Sequence, residues 1–435
     1  MKGLTVKSVR ANGSHLTIDF ECRGQISKFF QTNQFYADYN TSIQAVPEEI
    51  LVIPFLGAVL PIVWANHAVI CVDAIDEIFL ESMEAYKRSL QKLYPKLSLG
   101  GRLVAKHASK QNLGFQSKSM MLFSGGVDSL ATYVRHRNER LTLVCVHGGD
   151  ISLRDNVAWK NSIVPIGEFA RNNKSPLRTV RSNFKEMVDF LMLRVFDDYI
   201  EEDNNWWGRI MHGLAMLGLC APLAYVQGIG KLYIAASHTS ELPEGWGSHP
   251  LLDNNVKWAG TQVLHDGFEL SRQEKLLVIS EYVKNDDGQV MLRCCFDSVG
   301  GNCGHCEKCS RTIVGLELAG LDPSKHGFKV EADTFLRIKR ELLNGAWHFG
   351  DNIVYMWSDI KRHAYLKKNI VHPEAKPLIE WLENVDVSHL QTKSKQAHQY
   401  DVGKKLIPFF KSLPGPLYRI SRRYYDFFTQ MLPFS

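Results

Sequence analysis

No stretch of this chain offers the ~18 clean apolar residues that a membrane-spanning helix needs. Two runs come nearest. Residues 51–65 (LVIPFLGAVLPIVWA) are short and carry two prolines, and residues 210–226 are broken early by His212. Both are expected to be buried segments of a water-soluble protein with no transmembrane segment. The N-terminus, MKGLTVKSVRANGSHLTIDF, lacks the apolar core of a signal peptide. Internal repeats are absent too. Charge of one sign is not in large excess: 51 Lys and Arg stand against 46 Asp and Glu, a formal net charge of +5. That balance argues against a direct nucleic-acid partner and suits a small anionic ligand. Cysteine is sparse except in one place. Cys22, Cys71, Cys145 and Cys220 are scattered, whereas the other five crowd into residues 294–309. Such crowding reads as metal ligation rather than a disulfide framework. It implies a reducing, cytoplasmic setting.

What is present fits an ordinary folded protein. The chain has 435 residues, 45% hydrophobic and 22% charged, which is too long for one typical core. Three regions are expected: an N-terminal α+β extension over 1–115, a central domain over 116–318, and a mostly helical C-terminal region over 319–435. In the first, residues 14–22 alternate like a strand, a helix begins near Val46-Pro47-Glu48, and 73–93 carry a helical apolar spacing that ends before Pro95. Residues 107–119 read as a polar linker or exposed loop. The central region then alternates strand and helix. Strands are predicted at 120–123, 141–146, 162–166 and 231–236, and helices at 129–137 and 209–227. This is the rhythm of an α/β fold, a parallel sheet covered on both faces, with its ligand-binding loops along one edge.

Residues Ser124-Gly125-Gly126-Val127-Asp128-Ser129 follow the first of those strands and lead into a helix. A glycine turn at a helix start exposes backbone amides and makes a phosphate cradle. Ser124 and Ser129 add hydroxyl donors. Asp128 beside a phosphate asks for an intervening cation, and magnesium is the natural one. No Gly-Lys-Ser/Thr follows, so this is not the common P-loop. Ser124, Asp128 and Ser129 are the candidate catalytic residues, and the whole loop is the candidate nucleotide site. His147, which ends the next strand at the same edge, is a candidate for adenine or ribose. Arg209, at a helix start, is a candidate for a phosphate or a carboxylate.

Residues 293–311 read RCCFDSVGGNCGHCEKCSR. Cys303, Cys306 and Cys309 supply three thiolates at two-residue gaps. The fourth comes from Cys295 or Cys294, of which Cys295 is favoured; adjacent side chains diverge, so only one should ligate. Four thiolates close a tetrahedral zinc site, which marks it as structural. A third feature is the polar loop 237–253, long for an ordinary surface connection. Its His238, Glu241, His249 and Asp253 are candidate substrate contacts. Residues 271–274 (SRQE) read as a helix cap, from which Arg272 is a further candidate.

The SGGVDS loop resembles the SGGxDS hallmark of the N-type ATP pyrophosphatases. Combined with a cysteine knot ending in CGHCEKC, it is similar to the 7-cyano-7-deazaguanine synthase family of queuosine biosynthesis over residues 119–318. Trp207-Gly208-Arg209 stands where that family has a PGRN-like segment. Residues 235–253 stand where it has its substrate loop, with different wording. The resemblance implies a sheet of the adenine-nucleotide α-hydrolase-like (HUP) type that uses ATP, Mg2+ and Zn2+. It further implies an enzyme, a carbon–nitrogen ligase that adenylates a 7-carboxy-7-deazaguanine-like acid. Pyrophosphate and AMP leave, and an amide or nitrile results. The chain is longer than a minimal synthase and looks like the longer synthase-like proteins, some of antiphage defence systems. For these, ligation of the acid to an amine of a partner protein is the alternative. A non-catalytic interaction protein that kept the fold is a further alternative, disfavoured by the complete loop. Both extensions are expected to offer a partner-binding surface, with the aromatic and basic stretch 417–428 at its centre.

Overall fold

Eleven strands of the described residues join into one mixed sheet, with helices on both faces. The computed structural model describes residues 3–111, 117–200, 205–242, 245–285, 288–295, 301–347, 349–389, 402–414, 417–418 and 420–422. The strands in chain order are β1 Gly3–Asn12, β2 His15–Arg23, β3 Gln34–Tyr39, β4 Val69–Asp76, β5 Arg102–Ser109 and β6 Lys118–Leu122. After them come β7 Thr142–His147, β8 Leu177–Ser182, β9 Ile229–Ala235, β10 Lys257–Trp258 and β11 Thr261–Asp266. Their spatial order is β10-β11-β9-β6-β7-β8-β3-β2-β1-β4-β5.

The strands from β11 to β8 are mutually parallel. Chain order runs β6, β7, β8 in one direction and then returns to place β9 on the other side of β6. That reversal makes the carboxyl end of β6 a topological switch point, the place where open α/β sheets bind ligands. The N-terminal strands continue the same sheet. β3 pairs antiparallel with β8 through Ala37↔Ser182, Asp38↔Arg181 and Tyr39↔Val180. An antiparallel meander β3-β2-β1 follows, and β4 and β5 then add in parallel.

Alternation along the central strands divides two cores. Met120 and Val144 face one, and their neighbours Met121 and Leu143 face the other. The first core holds α1 (Ile53–Ala65), α2 (Glu77–Leu93) and much of the apolar helix Trp207–Gln227. Every residue of α1 is buried. It crosses the Trp207–Gln227 helix at Gly57, where an added Cβ would lie 2.6 Å from the Leu214 carbonyl. Trp207–Gln227 is long and apolar enough to cross a membrane, yet 72% of its apolar window is buried inside the protein, as in a core helix. The second core receives α3 (Val127–His136), α4 (Asn156–Asn172), and, beyond Trp207–Gln227, which is α5, the helices α6 (Arg272–Asn285) and α7 (Glu307–Leu318).

The C-terminal helices α8 (Thr334–Asn344), α9 (Asp351–Arg362) and α10 (Lys376–Asn384) pack into that second core through Phe335, Trp357 and Ile379. The buried Asp359 carboxylate accepts the Gln273 N–H at 2.9 Å and so pins α9 to α6. The last described helix, α11 (Val402–Ser412), crosses to the first core, where Phe410 and Tyr418 are buried. The Tyr418 hydroxyl donates to Asp189. Of the aromatic stretch 417–428, residues 419 and 423–428 lie outside the described residues.

Three local expectations fail. Residues 162–166 form no strand but the middle of α4. The Asp155 carboxylate caps that helix by accepting the Ala158 N–H at 2.8 Å. Residues 73–76 end β4, and the helix starts only after Asp76, which accepts the Phe79 N–H at 2.9 Å. Residues 107–109 belong to β5 rather than to a linker.

Candidate functional site

The Ser124–Ser129 loop turns at the switch point. Gly125 sits at φ +73°, a left-handed conformation that strains any residue with a Cβ. Gly126 is the N-cap of α3. By helical geometry the first-turn amides of Val127, Asp128 and Ser129 have no partner within α3 and point along its axis. The Ser129 hydroxyl, which donates to the Gly126 carbonyl at 3.2 Å, accepts the Ser124 N–H at 3.3 Å. The two serine oxygens lie 3.2 Å apart.

Asp128 faces cations supplied from far along the chain. Arg272 Nη1 donates to its Oδ2 at 2.6 Å, and Lys275 Nζ approaches Oδ1 at 3.4 Å. Burial alone would raise the Asp128 carboxyl. The charges of Arg272, Lys275 and Lys308 win and hold it down at about 2. Side chains of α6 and α7 thus surround Asp128 with positive charge. Lys275 is itself buried and also donates to the Ala236 carbonyl at 2.6 Å.

A cavity of about 400 Å3 opens beside the loop. Ser124, Gly126, Asp128 and Ser129 line one side, and Arg272, Arg293 and Lys308 bring three cations. Trp159 and Ile166 of α4 form an apolar and aromatic wall, and Ser162, Asp150, Asp155 and His212 stand in the lining as well. Among the described residues the buried Arg293 Nε has no hydrogen-bond partner. Its segment also braces the loop, since an added Cβ on Gly126 would lie 3.3 Å from the Arg293 carbonyl.

The cysteine cluster borders the same cavity through Cys295, with Cys294 beside it in the lining. The sulfurs of Cys295, Cys303, Cys306 and Cys309 all lie within 4.8 Å of one another. Cys295 is 3.9 Å from Cys306, and Cys303 is 3.8 Å from Cys309. A tetrahedron of sulfurs about 2.3 Å from a central ion has edges of roughly 3.8 Å. The chain therefore holds a largely buried four-cysteine cluster able to bind a metal ion. Cys294 touches Cys309 alone of the four, at 4.0 Å, and stands beside the cluster. Asn302 frames it: its Oδ1 accepts the N–H groups of Cys294 and Cys295, and its Nδ2 donates to the Leu292 and Gly327 carbonyls. Residues 296–300, which follow Cys295, lie outside the described residues.

The other sequence candidates are placed around the cavity rather than in its lining. His147 stacks on Trp159 with ring centres 4.6 Å apart and planes 3° apart, and its Nε2 donates to the Ser152 carbonyl at 3.0 Å. It supports the aromatic wall from behind. Arg209 is buried and donates to the Gly245 carbonyl at 3.1 Å, holding the 237–253 loop. Within that loop, His238 is buried against Trp246 and accepts from the Asn352 side chain at 3.4 Å. Glu241 accepts from Tyr355 at 2.9 Å and Arg362 at 2.7 Å, both on α9. His249 caps residues 250–253 by accepting the Leu251 N–H at 3.1 Å. Asp253 is fully buried and accepts from Ser248 and from His265. The structure thus gives these loop residues architectural partners. The lining groups Ser237, Asp150, His212, Arg293 and Lys308 carried no separate signal in the sequence.

No family model, curated protein or solved structure matches the chain.

Proposed function

We propose that the chain is an ATP pyrophosphatase of the HUP type that adenylates a small-molecule carboxylate. The observation that carries this reading is the SGGVDS turn at the switch point of the sheet, open to a cavity that also presents Arg272, Arg293 and Lys308. The amides of Val127, Asp128 and Ser129, with the Ser124 and Ser129 hydroxyls, would hold phosphate oxygens. The three cations would take up the negative charge that develops when a carboxylate oxygen attacks the α-phosphorus and pyrophosphate departs. Asp128 is the carboxylate available to a magnesium ion, which would supply further charge neutralisation there. Cys295, Cys303, Cys306 and Cys309 would hold zinc with no open position, a structural role.

The acid is, on the resemblance of loop and knot, of the 7-carboxy-7-deazaguanine class. Attack of an amine on the acyl adenylate then forms a C–N bond and releases AMP. The test supplies ATP, Mg2+ and this acid, with and without ammonia. Nucleotide products are separated and the acid-derived product is weighed by mass spectrometry. AMP and pyrophosphate with an amide or nitrile mass are expected. ADP and phosphate as the only products would reject the reading.

A further inference from the structure

A second cavity, of about 530 Å3, shares no lining residue with the first. It lies where the N-terminal half, the 192–199 segment and the C-terminal helix α11 meet. Phe29, Leu97, Met192 and Phe196 are among its apolar walls. Its basic groups are Lys28, Lys96, Lys411 and His67, and among the described residues no aspartate or glutamate lines it.

Lys28 is the unusual member. The residue is only 3% exposed, and its ammonium donates to the carbonyls of Lys411 at 2.7 Å and Phe410 at 3.4 Å. An ammonium has three protons to place. These carbonyls belong to the last turn of α11, where the helix dipole offers only partial negative charge. Among the described residues no carboxylate pairs with Lys28, and burial pushes its pKa down. A buried cation left without an anion is costly. Lys96 and Lys411, exposed at the rim, likewise form no ion pair among the described residues.

A bare inorganic anion would leave the apolar wall facing water. A neutral hydrocarbon would leave the buried charge unanswered. We propose that this cavity is a binding site for an amphipathic organic anion. Its acidic head would meet Lys28 and the rim lysines, and its hydrocarbon or aryl body would lie against Phe29, Met192 and Phe196. The volume is that of a small-molecule site. The proposal is independent of the nucleotide chemistry, because the two cavities are separate.

The experiment is titration calorimetry on the full chain with three probes: decanoate below its aggregation concentration, 1-decanol, and acetate. Decanoate should bind roughly tenfold more tightly than decanol, the worth of one charge-assisted hydrogen bond, and acetate should give no heat. Lys28→Met should bring decanoate down to within about threefold of decanol, the remainder coming from the rim lysines. Because Lys28 also holds the end of α11, a double variant at the exposed rim, Lys96→Gln with Lys411→Gln, serves as the second arm. It should weaken decanoate roughly threefold and leave decanol unchanged. Decanoate binding no tighter than decanol, no binding of either, or decanoate affinity unmoved by the rim variant would each overturn the proposal.

Discussion

The backbone N–H of Arg293 donates to the carbonyl of Gly125 at 2.9 Å, which stitches the segment entering the cysteine cluster to the turn of the Ser124–Ser129 loop. The two sites are thereby mechanically joined. Removal of metal with a chelator should therefore loosen residues 124–129 before the whole protein melts. Hydrogen exchange of the amides of Gly126 to Ser129 should accelerate, and ATP affinity should fall. Unchanged exchange in this loop after complete metal loss would show that the stitch does not couple the sites.

The cluster geometry discriminates between the adjacent cysteines. Cys295→Ser should abolish metal binding, because Cys295 closes the set with Cys306. Cys294→Ser should retain about one zinc per chain. Metal content by elemental analysis of both variants decides, and loss from the Cys294 variant alone would reverse the assignment.

Asp128→Asn should abolish turnover, as its place in the loop implies, and should also cost stability. The variant leaves Arg272 and the buried Lys275 without their anion, a loss on the order of 3 kcal/mol. The carboxyl, held at about 2 in the folded chain, stabilises it fully above the ordinary aspartate range. That contribution disappears as pH falls from about 4 towards 2. Urea unfolding at pH 7 and at pH 3 should show the gap between wild type and variant narrowing in acid. A constant gap would mean that Asp128 is not the titrating anion.

His238 supplies a second acid-sensitive element. Burial, aided by the Lys275 and Arg209 charges and opposed by Asp128, pushes its pKa down from 6.5 to about 4. The neutral ring accepts from Asn352, and protonation would break that bond. The unfolded chain therefore binds the proton more readily, so stability is lost as pH falls from about 6.5 to 4. The loss should reach about 2 kcal/mol by pH 5. His238→Gln should flatten the stability profile in that window. An unaltered profile would assign the sensitivity elsewhere.

The sequence made some of this legible and hid the rest for identifiable reasons. The SGGVDS turn and the Cys303–Cys309 spacing are local, so every constraint on them lies within a few residues. Residues 162–166 misled because Ile163, Val164 and Ile166 are β-branched, a strand-like composition, and Pro165 speaks against a helix interior. The cap that makes them helical sits at Asp155, several residues upstream. The loop 237–253 is unusual in length, but its polar side chains answer to His265, Asn352 and Arg362, and its Gly245 carbonyl to Arg209. Those partners are separated from it in sequence, and no spacing rule reports them. Arg272 could be suspected from its place in a helix cap. That it meets Asp128 could not, because the two are 144 positions apart in the chain.

The pairing of β3 with β8 has a consequence for any attempt to divide the chain. Removing the N-terminal strands would strip β8 of its neighbour and leave a row of unsatisfied amides and carbonyls along an open flank. Such a flank recruits other chains. A fragment beginning near residue 117 would keep the SGGVDS turn and the cysteines, yet it should self-associate into insoluble material. The amino-terminal strands carry the open flank of the sheet outward from β8 to β5.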